Sequence, residues 1–131
     1  MIGVDTNILI RAIAEREDLQ TAELARDFLR SLTPEDPGFI TQVTMAEFWW
    51  VLARSYRVPR EECLEIVRGL IETESLEFDD AEGLVRALTL AEGGADFPDA
   101  LIQGAMELFG VAETATLDRA ASERLGWRLL S

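Results

Sequence analysis

The feature that most constrains this chain is a change of periodicity within its first thirteen residues. Ile2 and Val4 have strand preference, whereas Ile8, Leu9, Ile10, Ala12 and Ile13 form an apolar helical run. The change falls at Asp5-Thr6-Asn7. A short buried strand that becomes a helix there carries a carboxylate to the carboxyl edge of a sheet, the edge at which open α/β folds bind ligands. Asp, Thr and Asn also cap helices well, so Asp5 has a purely structural reading beside the functional one.

The same alternation recurs down the chain. After a helix to about Ala14, Glu15 to Asp18 reads as a charged turn, with Asp18 capping an amphipathic helix that buries Thr21, Leu24, Ala25, Phe28, Leu29 and Leu32. Phe39 to Thr44 reads as a second strand leading into a largely buried helix from about Thr44 to Tyr56. Glu47 is the odd residue in that helix, because a carboxylate in an apolar setting costs several kcal/mol unless it is paired or metal-bound. Thr44-x-x-Glu47 is also a capping-box pattern, which would explain the acid locally. Pro59 restarts the chain as a helix, Ser75 to Phe78 is a third strand, and Asp79 and Glu82 form a second capping box for a helix to about Ala91. Asp96 and Asp99 open a helix that buries Leu101, Ile102, Ala105, Met106 and Phe109. Gly110 to Ala115 reads as a fourth strand ending at Thr116-Leu117-Asp118, before a short helix from Arg119 to Leu125 and a closing strand at Trp127 to Leu130. Strand and helix alternating in this way predict an α/β fold with a mostly parallel central sheet flanked by helices on both faces.

Composition narrows the chemistry. With 131 residues, 48% of them hydrophobic, the chain has room for one domain over 1–131 with a real core, and not for two ordinary ones. No apolar run approaches the ~20 residues that span a bilayer. A strand beginning at residue 2 leaves no room for a signal peptide, so a cytoplasmic protein is expected. Cys63 is the sole cysteine and lies on an apolar helix face, where core packing is its role. Histidine is absent, which removes the commonest general base and most zinc sites. Twelve basic residues, all arginine, stand against 25 acidic ones for a net charge of −13. That balance opposes a broad nucleic-acid surface, and it leaves bound divalent cations or a basic partner as the ways to satisfy so much negative charge. Arg54, Arg57 and Arg60 form the densest basic group, read as an exposed helix end, and Trp49, Trp50 and Trp127 read as core residues rather than base-stacking groups.

Asp5, Glu47, Asp99 and Asp118 all fall at or just inside helix starts that follow strand-like segments. Parallel strands put such starts on one edge. Carboxylates converging there without Lys or His would repel, and Mg²⁺ or Mn²⁺ is the natural counter-charge. Such ions can activate water and stabilise the leaving oxygen of a phosphodiester.

At these residues the sequence resembles the PIN-domain family, most closely its small single-domain VapC-type ribonuclease toxins. The motifs are Val4-Asp5-Thr6-Asn7-Ile8-Leu9, Thr44-Met45-Ala46-Glu47-Phe48, Asp96-Phe97-Pro98-Asp99-Ala100-Leu101-Ile102 and Thr116-Leu117-Asp118-Arg119, in this order. The resemblance implies a single PIN-like domain in which Asp5, Glu47 and Asp99 are the principal metal-site acids, Asp118 completes the quartet and Asp96 is auxiliary. Asn7, Thr44 and Thr116 match positions that support the site by hydrogen bonding. It further implies Mg²⁺-dependent endoribonuclease activity on RNA, a homodimer, and inhibition by a cognate antitoxin whose basic segment enters the acidic pocket. A stand-alone RNA-processing nuclease of the same family and a catalytically inactive PIN-like binding module are the alternatives. A haloacid-dehalogenase-like phosphatase fits worse, because that family has Asp-x-Asp where this chain has Asp5-Thr6-Asn7, and its phosphate-holding Lys cannot exist here.

Overall fold

In the computed structural model, which describes residues 1–131, the opening strand is brief because its carboxyl end is reached at once. Strand β1 (Ile2–Gly3) pairs in parallel with β2 (Gly38–Ile40), and β2 pairs in parallel with β3 (Leu76–Phe78), giving a three-stranded sheet in chain order. Val4, buried, adds one more rung by donating its amide to Phe39 O at 2.9 Å. The chain then turns at Asp5 into α1 (Thr6–Ile13). Gly38 sits where Ile2 and Leu76 pair with it from either side, and a Cβ there would lie 2.8 Å from both Leu32 Cδ1 and Val4 Cγ2. Any larger residue would push these side chains aside.

The chain forms two compact units, Met1–Ala81 and Glu82–Ser131. In the first, α1 and α2 (Leu19–Ser31) connect β1 to β2, and α3 (Gln42–Arg54) and α4 (Arg60–Ile71) connect β2 to β3. Its core is built from fully enclosed Leu9, Ile40, Met45, Phe48, Leu52 and Val67, with Cys63 packed among them as the sequence suggests. Burial pushes the Cys63 thiol up, so it is an inert packing group. In the second unit, α5 (Ala81–Glu92) and α6 (Phe97–Leu108) are followed by β4 (Ala115–Thr116), α7 (Arg119–Leu125) and β5 (Arg128–Leu129). The two short strands pair in parallel, and Leu84, Ala87, Phe97 and Ala100 are enclosed. The mixed α/β architecture with parallel pairing throughout is as predicted. No helix is long and apolar enough to cross a membrane.

Several local expectations shift. Gln42-Val43-Thr44 is the first turn of α3 and not strand, because the Thr41 hydroxyl accepts the Thr44 amide at 3.2 Å and Asp79 Oδ1 accepts the Gln42 amide at 2.9 Å. Two caps on first-turn amides start the helix earlier than hydrophobic pattern implies. Asp79 therefore serves α3 rather than boxing α5. The helix is less buried than expected, with Val43 and Trp50 exposed, Trp50 not being the core residue predicted, and the Arg54 guanidinium 5.6 Å from the Trp50 ring centre. Leu24, Ile102 and Phe109 are likewise exposed, since a helix packed on one side buries a narrower stripe than its apolar residues would allow. Only Ala115 and Thr116 of the fourth predicted strand enter a ladder.

Candidate functional site

The acids predicted from sequence fall into two groups, one in each unit. In the first unit, Asp5 caps α1 by accepting the Thr6 amide on Oδ1 at 2.8 Å, as the cap reading requires. Its other oxygen has no protein donor, so capping and ligand binding do not compete. Thr6, buried, donates its hydroxyl to Glu47 Oε1 at 2.5 Å, tying the first turn of α1 to α3. Glu47 is no capping-box residue. Thr41 caps α3, and Glu47 lies on its second turn with its carboxylate exposed. Asp5, Asn7 and Glu47 share a cleft of about 480 Å³ with Arg11, Ser55 and Tyr56. Thr44 takes part in the N-terminal cap through its amide and through its hydroxyl, which accepts from Thr41 at 3.2 Å.

In the second unit, Asp96 caps α6 by accepting the Asp99 amide on Oδ2 at 3.1 Å. Asp99 follows in the first turn, half-buried. Burial holds its carboxyl above the usual range, and the charges of Asp96 and Asp118 add to the shift. Asp118 caps α7 by accepting the Ala121 amide at 3.2 Å, and its own amide donates to Thr116 Oγ1 at 3.0 Å, which fixes the strand-to-helix turn.

Sequence reading missed three residues around the first cleft: Thr6, Glu15 and Tyr56. Glu15, read as part of a solvated turn, is only 6% exposed. It accepts the amides of Glu17 at 3.1 Å and Asp18 at 2.9 Å, and it receives the Arg11 guanidinium and the Tyr56 hydroxyl. The Asp18 amide above all, then Arg11 and the Glu17 amide, hold its carboxyl down at about 2 against an ordinary 4.5. A depressed carboxylate contributes stability that is complete above the unfolded value and is lost as pH falls through the folded one. Accordingly, Glu15→Gln is expected to lower the urea midpoint most above pH 5, and its difference from the unaltered chain to shrink steadily between pH 4.5 and about 2. A gap that stays constant across that range would remove the charge on Glu15 from the account. The one signal in the sequence was the Arg11–Glu15 spacing of a helical ion pair.

The donor chemistry fits a hard divalent cation in kind, since every candidate ligand is a carboxylate, amide or hydroxyl oxygen. Within neither unit do three or more acidic side chains gather into a group that could hold an ion.

Acids cap the helices that follow β1 and β4, and Glu47 stands one turn into the helix that follows β2, on a chain whose strands all pair in parallel. The PIN domain family model matches residues 2–124, through both units, and the chain belongs to the PIN domain family. PIN domains are generally nucleases and typically use divalent metal ions. No curated relative matches the chain.

Proposed function

We propose that this chain is a metal-dependent endoribonuclease that hydrolyses RNA phosphodiesters and serves as the VapC-type toxin of a type II toxin–antitoxin pair. The observation that carries the reading is Glu47. It is the one acid on α3, exposed, excused by no cap, held by the buried Thr6 hydroxyl and lining the same cleft as Asp5. Asp5, Glu47, Asp99 and Asp118 are the acids assigned to the metal, with Asp96 auxiliary and Asn7, Thr44 and Thr116 in support. A bound Mg²⁺ or Mn²⁺ supplies a water nucleophile at neutral pH and charge stabilisation on the leaving oxygen.

The chain's own residues orient and hold charge. The Thr6 hydroxyl occupies one oxygen of Glu47 and leaves the other free for a ligand; the Thr6 amide does the same for Asp5. Raised basicity at Asp99 suits a group that takes up a proton, or releases one to water when a cation binds. Use of 1–131 as one domain, a homodimer and a cytoplasmic location belong to the same proposal. So does an antitoxin whose basic segment enters the acidic pocket, a partner that fits a net charge of −13.

The test is cleavage of a labelled single-stranded RNA with Mg²⁺, with Mn²⁺ and with EDTA. Cutting that requires the metal and stops in EDTA is expected. RNA left intact at every metal concentration would sink the enzyme reading in favour of a binding module.

A further inference from the structure

The acidic cleft is not isolated. It shares Arg11, Ser55 and Tyr56 with a second cleft of about 460 Å³, which in turn shares Ala14, Arg16 and Tyr56 with a third of about 250 Å³ that reaches Arg57. Tyr56 lines all three. The run lies wholly within the first unit; beyond Asp5 and Glu47 it is lined by Arg11, Arg16 and Arg57, with Glu15 and Glu17 beside them in the second cleft and Glu62 in the third. Arg11 is fastened to Glu15. Arg16 donates only to the carbonyls of Ile13 and Glu15, and neither Arg16 nor Arg57 is paired with a carboxylate. Arg54, Arg119 and Arg124 also carry no ion pair, but Arg16 and Arg57 are the two that lie along one continuous path of clefts. Arg57 is also the only non-glycine residue with a left-handed backbone, φ 53°. Arginine adopts that conformation at a cost, so the surrounding loop dictates where its side chain leaves the chain.

We propose that these linked clefts carry the single-stranded RNA that flanks the cut. Arg11 stands nearest the cleaved phosphate, the Tyr56 ring is a stacking platform for a base, and Arg16 and Arg57 bind the next phosphates. This rests on the nuclease reading above and adds the path of the substrate. A strongly acidic protein repels RNA at long range, so it needs a local line of cations to hold a strand against an acidic centre. Arginines interleaved with an aromatic ring are what a sequence-tolerant single-strand site requires, since any base can stack and every nucleotide carries a phosphate. An acidic peptide would use the arginines but have no use for the ring.

The experiment compares the unaltered chain with the double variant Arg16→Ala, Arg57→Asn. Asn tolerates the left-handed backbone, and both positions are exposed, so folding is kept. For cleavage of a long unstructured RNA, KM is expected to rise about tenfold with kcat within about twofold, and the slope of log KM against log salt to fall by about 1.4, at about 0.7 for each phosphate no longer neutralised. The control Arg30→Ala, Arg128→Ala removes the same charge elsewhere and should leave KM unchanged. An equal rise in the control would make the effect one of net charge and overturn the proposal, as would an unaltered KM and salt slope in the double variant. Should the unaltered chain cut no RNA, the nuclease reading falls by itself. Fluorescence anisotropy of the same RNA in EDTA then decides the path: affinity that falls in the double variant but not in the control supports it, and equal affinities overturn it. Binding of a polyglutamate peptide in preference to RNA would overturn it in favour of a protein site.

Discussion

Asp5→Asn is expected to leave a folded protein that cleaves RNA at least about a hundredfold more slowly, the scale on which losing one preorganised electrostatic group acts at a reacting centre. The structure separates the two tasks of this side chain. Its cap is a single hydrogen bond, accepted by Oδ1 from the Thr6 amide at 2.8 Å, and the amide oxygen of Asn can accept the same bond. What Asn removes is the negative charge on the second oxygen. Thermal unfolding should therefore move little while the rate collapses, a split that an ordinary capping residue would not produce. Asp99→Asn provides the counterpart in the second unit. Asp99 suffers the repulsion of Asp96 and Asp118, so neutralising it should, if anything, stabilise the unbound protein while lowering activity to a similar degree. If both variants cut RNA at the unaltered rate, Asp5 is a cap and nothing more, and Asp99 is only a first-turn charge of α6.

The residues legible in the sequence were those whose role is set by neighbours in the chain. Asp5, Asp96 and Asp118 stand at changes of periodicity, and each proves to be an N-cap with an oxygen to spare. Glu47 was legible as an anomaly, but its local explanation was wrong because the start of α3 is decided by Thr41 and by Asp79, the latter far along the chain. Thr6, Glu15 and Tyr56 were missed for a related reason. Thr6 looks like one more capping residue until Glu47 is brought to its hydroxyl, and Glu15 looks solvated until Tyr56, from the end of α3, closes over it. Parallel pairing was legible from strand–helix alternation, whereas strand length was not. Strand preference extends over Gln42 to Thr44 and over Gly110 to Thr114, but backbone groups at the first stretch were claimed by caps, and at the second only Ala115 and Thr116 found a partner strand.

Phe48→Ala is expected to destabilise the chain by about 3–5 kcal/mol, the range for truncating an enclosed aromatic. Since whole domains are stable by only about 5–15 kcal/mol, this one change can consume much of the margin. Composition alone does not predict which of the adjacent Phe48, Trp49 and Trp50 matters. Successive helical residues turn by about 100°, so the three cannot all face inward. Phe48 is fully enclosed, Trp49 is 6% exposed and Trp50 is 53% exposed, with the Arg54 guanidinium near its ring. Trp50→Ala should therefore cost about 1 kcal/mol or less, the scale of an exposed cation–π interaction and partial burial. The contrast, read from urea midpoints of the two variants, fixes the rotation of α3. It bears on the site as well, because Glu47 precedes Phe48 directly, and the anchoring of Phe48 and Trp49 inside turns Glu47 out towards Thr6 and the cleft. Equal losses from Phe48→Ala and Trp50→Ala would mean that α3 is covered on the Trp50 face too, with Glu47 at the margin of an interface instead of in an open cleft.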